Sequence, residues 1–183
     1  MAPPTAGTQA PNWSFQKSGG FGAAGAVKKQ EGGRRAGPLS GCHRAQGQFH
    51  LDAGVHVGVV SVANGDRAPL TVPVWYGYEP GGLVSFITGR ASQKAQRIDA
   101  AGRFSLCAQT EAAPYKYVSV EGSVVVVDDP VDRSERRDLP YRYLGTDLGD
   151  LYLAATEADA AANVTIRMRP EHWLSFDYAK QFG

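Results

Sequence analysis

The sequence predicts a mainly β, α+β domain: an antiparallel barrel with a few short flanking helices. Three observations predict it. Consecutive apolar runs are joined by tight-turn dipeptides, helical periodicity is confined to short stretches, and βαβ crossovers are few. The first predicted strand, His56 to Val62, stops at Ala63-Asn64-Gly65-Asp66, and Asn-Gly between apolar runs is a strong hairpin signal. The return strand, Pro69 to Tyr78, puts Leu70, Val72, Val74, Tyr76 and Tyr78 on one face. A turn at Glu79-Pro80-Gly81-Gly82 leads to a third strand, Leu83 to Thr88.

The period then changes. Ser92 to Ala101 is a short helix with Ser92 as N-cap and Gly102 as its stop. A fourth strand spans Arg103 to Gln109. A fifth spans Tyr115 to Val127, with Gly122 inside it marking a bulge. Asp132 to Leu144 and Leu148 to Ala162 are expected to be helices. Val164 to Met168 and His172 to Tyr178 are expected to form a closing hairpin around Arg169-Pro170-Glu171.

Residues 1–48 differ in texture from residues 49–183. They hold 10 of the 22 glycines, four prolines, six Lys/Arg and the single acid Glu31. Such a segment buries too little apolar surface to offset its ordering entropy, so a disordered tail is expected. A translation start near Phe49 is the other reading of that boundary. The remainder keeps thirteen Lys/Arg against seventeen Asp/Glu, and the whole chain has a formal net charge of +1. That balance gives no argument for a nucleic-acid or membrane partner. Two cysteines, Cys42 and Cys107, and no signal-like segment fit a reducing, cytoplasmic setting.

Several chemistries lack their motifs. There is no CxxC, HExxH, GxSxG or P-loop, no GxGxxG follows a predicted strand, and the four histidines are scattered. No metal site and no hydrolytic triad is expected. The positive signal is Thr88-Gly89-Arg90-Ala91-Ser92-Gln93-Lys94, which joins a strand end to a helix start. Free N–H groups there attract an anion, and Arg90 and Lys94 are cations where a helix dipole would otherwise disfavour them. A second signal is Val72-Pro73-Val74-Trp75, a strand whose proline removes a ladder donor and so belongs at an edge. The third is Tyr117, in phase with Ser119, Glu121 and Ser123 on a polar strand face suited to a ligand, a second subunit or solvent. Glu121 beside Gly122 is a candidate buried carboxylate.

Together these residues resemble the pyridoxamine-phosphate-oxidase-like, FMN-binding split β-barrel superfamily, and within it the branch that uses the deazaflavin coenzyme F420. The resemblance covers Val55 to Asp128, Tyr141 to Gly145 and Arg169 to Lys180. It implies a homodimer with cofactor at the subunit interface and hydride transfer to a small-molecule acceptor. It places the cofactor phosphate at Thr88, Ser92 and Lys94, with Gln93 standing where the oxidase has a basic residue; Arg90, close by in the sequence, is read here as the substitute charge. The ring system is implied to lie along Leu70 to Trp75. The oxidase's own C-terminal Arg-Leu-His-Asp-Arg type motif is absent.

F420 carries a polyglutamate tail and calls for a longer basic groove, with Arg90, Lys94, Arg97 and Lys116 as candidates. F420 is favoured over FMN on the Ser-x-Lys-Ala and Pro-Tyr-x-Tyr-Val texture. No general acid or base is assigned, and Tyr76 and Tyr117 are the candidate proton donors. The alternatives are a non-catalytic flavin or deazaflavin binding or storage protein, and a haem protein liganded by His56 or His172.

Overall fold

A computed structural model describes residues 54–181. The expected tail, 1–48, lies outside the described residues. The elements run β1 (Gly58–Asn64), β2 (Arg67–Val74), β3 (Val84–Gly89), α1 (Gln93–Ala101), β4 (Arg103–Gln109), β5 (Lys116–Asp128), α2 (Arg133–Ala155) and β6 (Asn163–Asp177), with 3-10 turns at Glu157–Ala162 and Tyr178–Gln181. The six strands form one antiparallel sheet in the order β2-β1-β4-β5-β6-β3. The sheet curls, and a single bridge, Gly77 to Ser85, ties the chain beyond β2 to β3.

Period-two burial builds the core. Val60, Val62, Leu106, Ala108, Val118 and Val120 point inward, and Val84, Phe86, Val164, Ile166 and Met168 meet them from the other strands. Tyr76 and Tyr78 continue the buried face of β2 past its last paired residue. The Asn64-Gly65 turn forms as predicted, with Gly65 at φ 64. Ser92 caps α1 by accepting from the Ala95 N–H, and Gly102 ends it in the left-handed conformation at φ 65.

The C-terminal hairpin expected around Pro170 does not exist. Val164 to Asp177 lies within one strand, paired along its length with β5. Pro170 sits opposite Gly122, where the β5–β6 register shifts. A Cβ on Gly122 would lie 1.8 Å from the Arg169 carbonyl oxygen, so only glycine admits that approach. The proline that resembled a turn residue thus bends a long strand at a bulge. Glu121 is exposed rather than buried, because its neighbours Val120 and Gly122 take the inward positions.

The two predicted helices are the limbs of α2, broken at Gly145 (φ 76). The predicted end of the second limb is instead the 3-10 turn Glu157–Ala162. Arg167 fixes the first limb to the sheet. Its guanidinium meets Asp128 Oδ2 at 2.7 Å and Glu135 Oε2 at 2.9 Å, and the buried Thr165 hydroxyl donates to that same Glu135 oxygen at 3.0 Å. Among the described residues no helix is long and apolar enough to cross a membrane.

Candidate functional site

The two outermost strands, β2 and β3, face each other across the seam of the curled sheet. Continued from the Gly77–Ser85 bridge, the register sets Trp75 opposite Ile87, Val74 opposite Thr88 and Pro73 opposite Gly89. No bridge forms at these pairs. All six residues instead line a cavity of about 470 Å³, a size ordinary for a small-molecule site. Pro73 contributes to the opening, since it has no N–H to offer across the seam.

Lys94 enters from the first turn of α1. Arg136, Leu139, Pro140, Tyr152 and Leu153 of α2 form the opposite wall, and Thr156 and Asn163 close one end. The two cationic side chains face no carboxylate on the cavity wall. Arg136 is paired outside it, with Glu157 Oε2 at 2.7 Å. Lys94 has no ion-pair partner among the described residues. The half-buried Ser92 hydroxyl lies 3.1 Å from the buried Thr88 hydroxyl, which ties the strand end to the helix start. The backbone N–H groups of Gln93 and Lys94 take no acceptor among the described residues, as first-turn amides do not. A lone ammonium, a buried hydroxyl and outward-facing amides form a donor set for an anion.

The wall next to that pole is aromatic. Trp75 stacks on Tyr143 with centroids 5.2 Å apart and planes 16° from parallel. Tyr152 leans on Trp75 at 5.1 Å and 54°. Burial holds the Tyr143 hydroxyl above its ordinary pKa, against a lowering contribution from its backbone hydrogen bond, so it stays a proton donor at neutral pH.

The structure gathers Pro73, Val74, Trp75, Thr88 and Lys94 into this cavity. It leaves other predicted residues elsewhere. Val72 packs half-buried against the core. Ser92 acts through its cap and through Thr88, and Gln93 is exposed. Arg90 does not supply a charge here: its guanidinium pairs with Asp129, and it lines a different cavity behind α1. Lys116 is likewise committed, to Asp177 Oδ2 at 3.1 Å, and Arg97 is exposed and lines none of the cavities described. Tyr117 stacks on Phe176 at 6.3 Å on the outer face of the sheet. His56 meets Glu111 Oε2 at 3.0 Å, and His172 is exposed on β6 opposite Glu121. Neither lines the cavity, and no cluster of metal-ligating residues occurs among the described residues.

Sequence reasoning missed the α2 wall. A shallow groove, lined by Arg133, Arg136, Arg137, Tyr141, Leu153 and Glu157, adjoins the cavity through Arg136 and Leu153, which border both. The spacing of Arg133, Arg136 and Arg137 on one helix was a visible signal for a shared basic surface, but nothing local said which strand end it would face.

No protein-family model matches the chain. No curated protein matches it by sequence. Solved structures match it by shape. An F420 reductase is similar at a TM-score of 0.52 and 21% identity, with 70% of this chain and 96% of that one covered. A conserved hypothetical protein from Mycobacterium tuberculosis is similar at 0.56 and 19%, covering 79% and 89%. A FAD-binding protein from Mesorhizobium loti is similar at 0.51 and 20%, covering 75% and 94%. At such identities the likeness is one of architecture, and it agrees with the strand order and open seam described above: the chain has the split β-barrel fold.

Proposed function

We propose that this chain is an oxidoreductase that binds F420 or FMN in the open seam and transfers a hydride between that cofactor and a small organic acceptor. The observation that carries it is the cavity's polarity: the unpaired Lys94, Thr88 and the α1 amides at one pole, Trp75 and the free edges of β2 and β3 at the other. A phosphoryl group suits the first pole and a planar ring the second. The bound cofactor would supply the two-electron chemistry. The chain's own part is orientation and exclusion of water. Pro73 to Trp75 would flank the ring, and Leu139, Pro140 and Leu153 would shield it. The split-barrel neighbours, an F420 reductase and a FAD-binding protein among them, support this reading.

F420 is favoured over FMN. The groove of Arg133, Arg136 and Arg137 continues the cavity; Arg136 pairs with Glu157 and Arg137 with Asp138, both exposed acids, while Arg133 has no ion pair among the described residues, so the groove stays net basic and suits a polyanionic tail that FMN lacks. It takes the place of the Arg90, Arg97 and Lys116 groove expected from sequence.

The proposal includes a homodimer. Along one cross-strand row of the outer face stand Pro73, Val59, Cys107, Ser119 and Leu174, in register. Val59 and Leu174 are exposed, with Val57 exposed alongside. Val57, Val59 and Leu174 make an exposed apolar strip on this otherwise mixed face; it is continuous with Pro73 and Val57 of the cavity and lies beside Tyr117. A partner seated on it would bring Tyr117 to the other protomer's site.

Titration of the full chain with F420 and with FMN tests the function. Binding of either at or below about 100 μM supports it, and failure of both at that level overturns it. The double variant R133E/R137E should weaken F420 about tenfold and leave FMN within twofold. A second reading, cofactor storage without turnover, is favoured by one observation: no carboxylate, histidine or cysteine among the described residues lines the cavity. Turnover of any quinone, enone or tetrapyrrole by the reduced complex excludes it.

A further inference from the structure

Between Val74 and Gly77 the chain forms no strand-ladder pair on either side. Toward β3 it faces the open seam. Toward β1 the ladder stops at Gly58–Val74, although the register continued by two residues sets His56 opposite Tyr76. A side-chain oxygen occupies that place. The Tyr76 N–H donates to the Tyr143 hydroxyl at 3.1 Å, and the hydroxyl donates to the His56 carbonyl, the nearer of two, at 2.9 Å, with the Tyr76 carbonyl at 3.3 Å. One phenol thus stands in for a missing rung and spaces the two strands by its own width. The same ring lies flat against Trp75, the indole on the cavity wall.

We infer that Tyr143 is a positioning residue: its hydroxyl props the β1–β2 ladder open at His56 and Tyr76, and its ring sets Trp75 as a wall of the cofactor cavity. The inference rests on the cofactor reading above only for its consequence, not for the strand geometry. Closing the rung directly would draw Trp75 toward β1 and away from the seam. Removing the phenol oxygen without closing it would take away the acceptor that the Tyr76 N–H uses. Tyr143 stands on α2 just before the Gly145 break, so the first limb of the helix holds the strand end through this contact. Arg167, by clamping Glu135, holds that limb in turn.

The test is Tyr143→Phe in the full chain, which keeps the ring and removes the oxygen. Two readouts are taken: hydrogen exchange of the Tyr76 amide, and affinity for F420 and FMN. The expected result is Tyr76 exchange about tenfold faster, protection of Val60 and Val72 unchanged, and affinity for the cofactor that the wild type binds reduced about tenfold. Unchanged Tyr76 exchange would overturn the inference, because the hydroxyl would then not hold the strand end. Faster exchange with unchanged affinity would overturn it too, because Trp75 would not depend on it. Loss of protection across β1 and β2 would show a general packing role and count against it. If the wild type binds neither cofactor, the function proposed above fails by itself, and the Tyr76 exchange rate still decides whether Tyr143 props the ladder.

Discussion

Two of the barrel's interruptions end differently. On the β5–β6 side, Gly122 and Pro170 break the register, yet the ladder resumes at once because a residue without a Cβ lets the Arg169 carbonyl close in. On the β2–β3 side, Pro73 and the departing strand break the pairing, and only Gly77–Ser85 restores it. Side chains from α1 and α2 line the space left there. The first interruption is a bend in the wall and the second is a site. Irregular backbone alone therefore does not make a site. What differs is that the second opens between two free edges and carries a cation, Lys94, with no ion-pair partner among the described residues.

The largest effect should come from erasing the first interruption. Gly122→Ala places a methyl where the Arg169 carbonyl already stands, and the backbone has to move. Urea denaturation should show a loss of about 3 kcal/mol or more. If the variant is as stable as the parent, the closed interruption does not depend on glycine and the contrast breaks down.

At the second interruption, stability should change little and binding more. Trp75→Leu keeps an apolar side chain but removes the aromatic face. It should weaken cofactor binding about three- to tenfold, the scale of an aromatic stacking contribution, as read by fluorescence titration. An unchanged affinity would mean that the ring lies elsewhere.

The fold was largely legible in the sequence because most of its instructions are local. Asn64-Gly65, the Glu79 to Gly82 turn, Ser92 and Gly102 each specify their own conformation within a few residues. Gly122 was legible as a bulge, but Pro170 was misread as a turn, since its meaning depends on the glycine opposite it, nearly fifty positions away. The site was half legible. Thr88, Ser92 and Lys94 are read within one turn of helix. Arg136 and Tyr152 reach the cavity only through the docking of α2, whose first limb is tied to the sheet by the Asp128–Arg167–Glu135 linkage. The misplacement of Arg90 has the same origin, because Asp129, its partner, comes from the far end of β5.

Smaller effects sharpen the comparison at the margin of the site. Asp132 caps α2 through the Ser134 hydroxyl and the N–H groups of Ser134 and Glu135, and these bonds, led by the hydroxyl, hold its carboxyl below the usual range. A folded-state pKa below the unfolded value stabilises above the unfolded pKa, and that contribution fades as pH falls through the folded one. Asp132→Asn should therefore lower the melting temperature modestly at neutral pH, where the ionised carboxylate contributes, and the variant and wild-type profiles should converge as pH falls below about 4. The smallest effect is expected from Arg90→Ala. Its pair with Asp129 is about half exposed on both sides, so stability should change by less than about 0.5 kcal/mol and cofactor affinity by less than twofold. A larger loss of affinity would return Arg90 to the site.

The most direct test compares cofactor titrations of the wild-type chain and of Lys94→Glu, with unfolding midpoints measured alongside. Lys94 is half-buried and unpaired, so the midpoint should hold. Reversing its charge at the phosphoryl pole should weaken binding at least about thirtyfold, roughly 2 kcal/mol. A Lys94→Glu protein that binds F420 or FMN as tightly as the wild type would contradict the assignment of the open seam as the cofactor site.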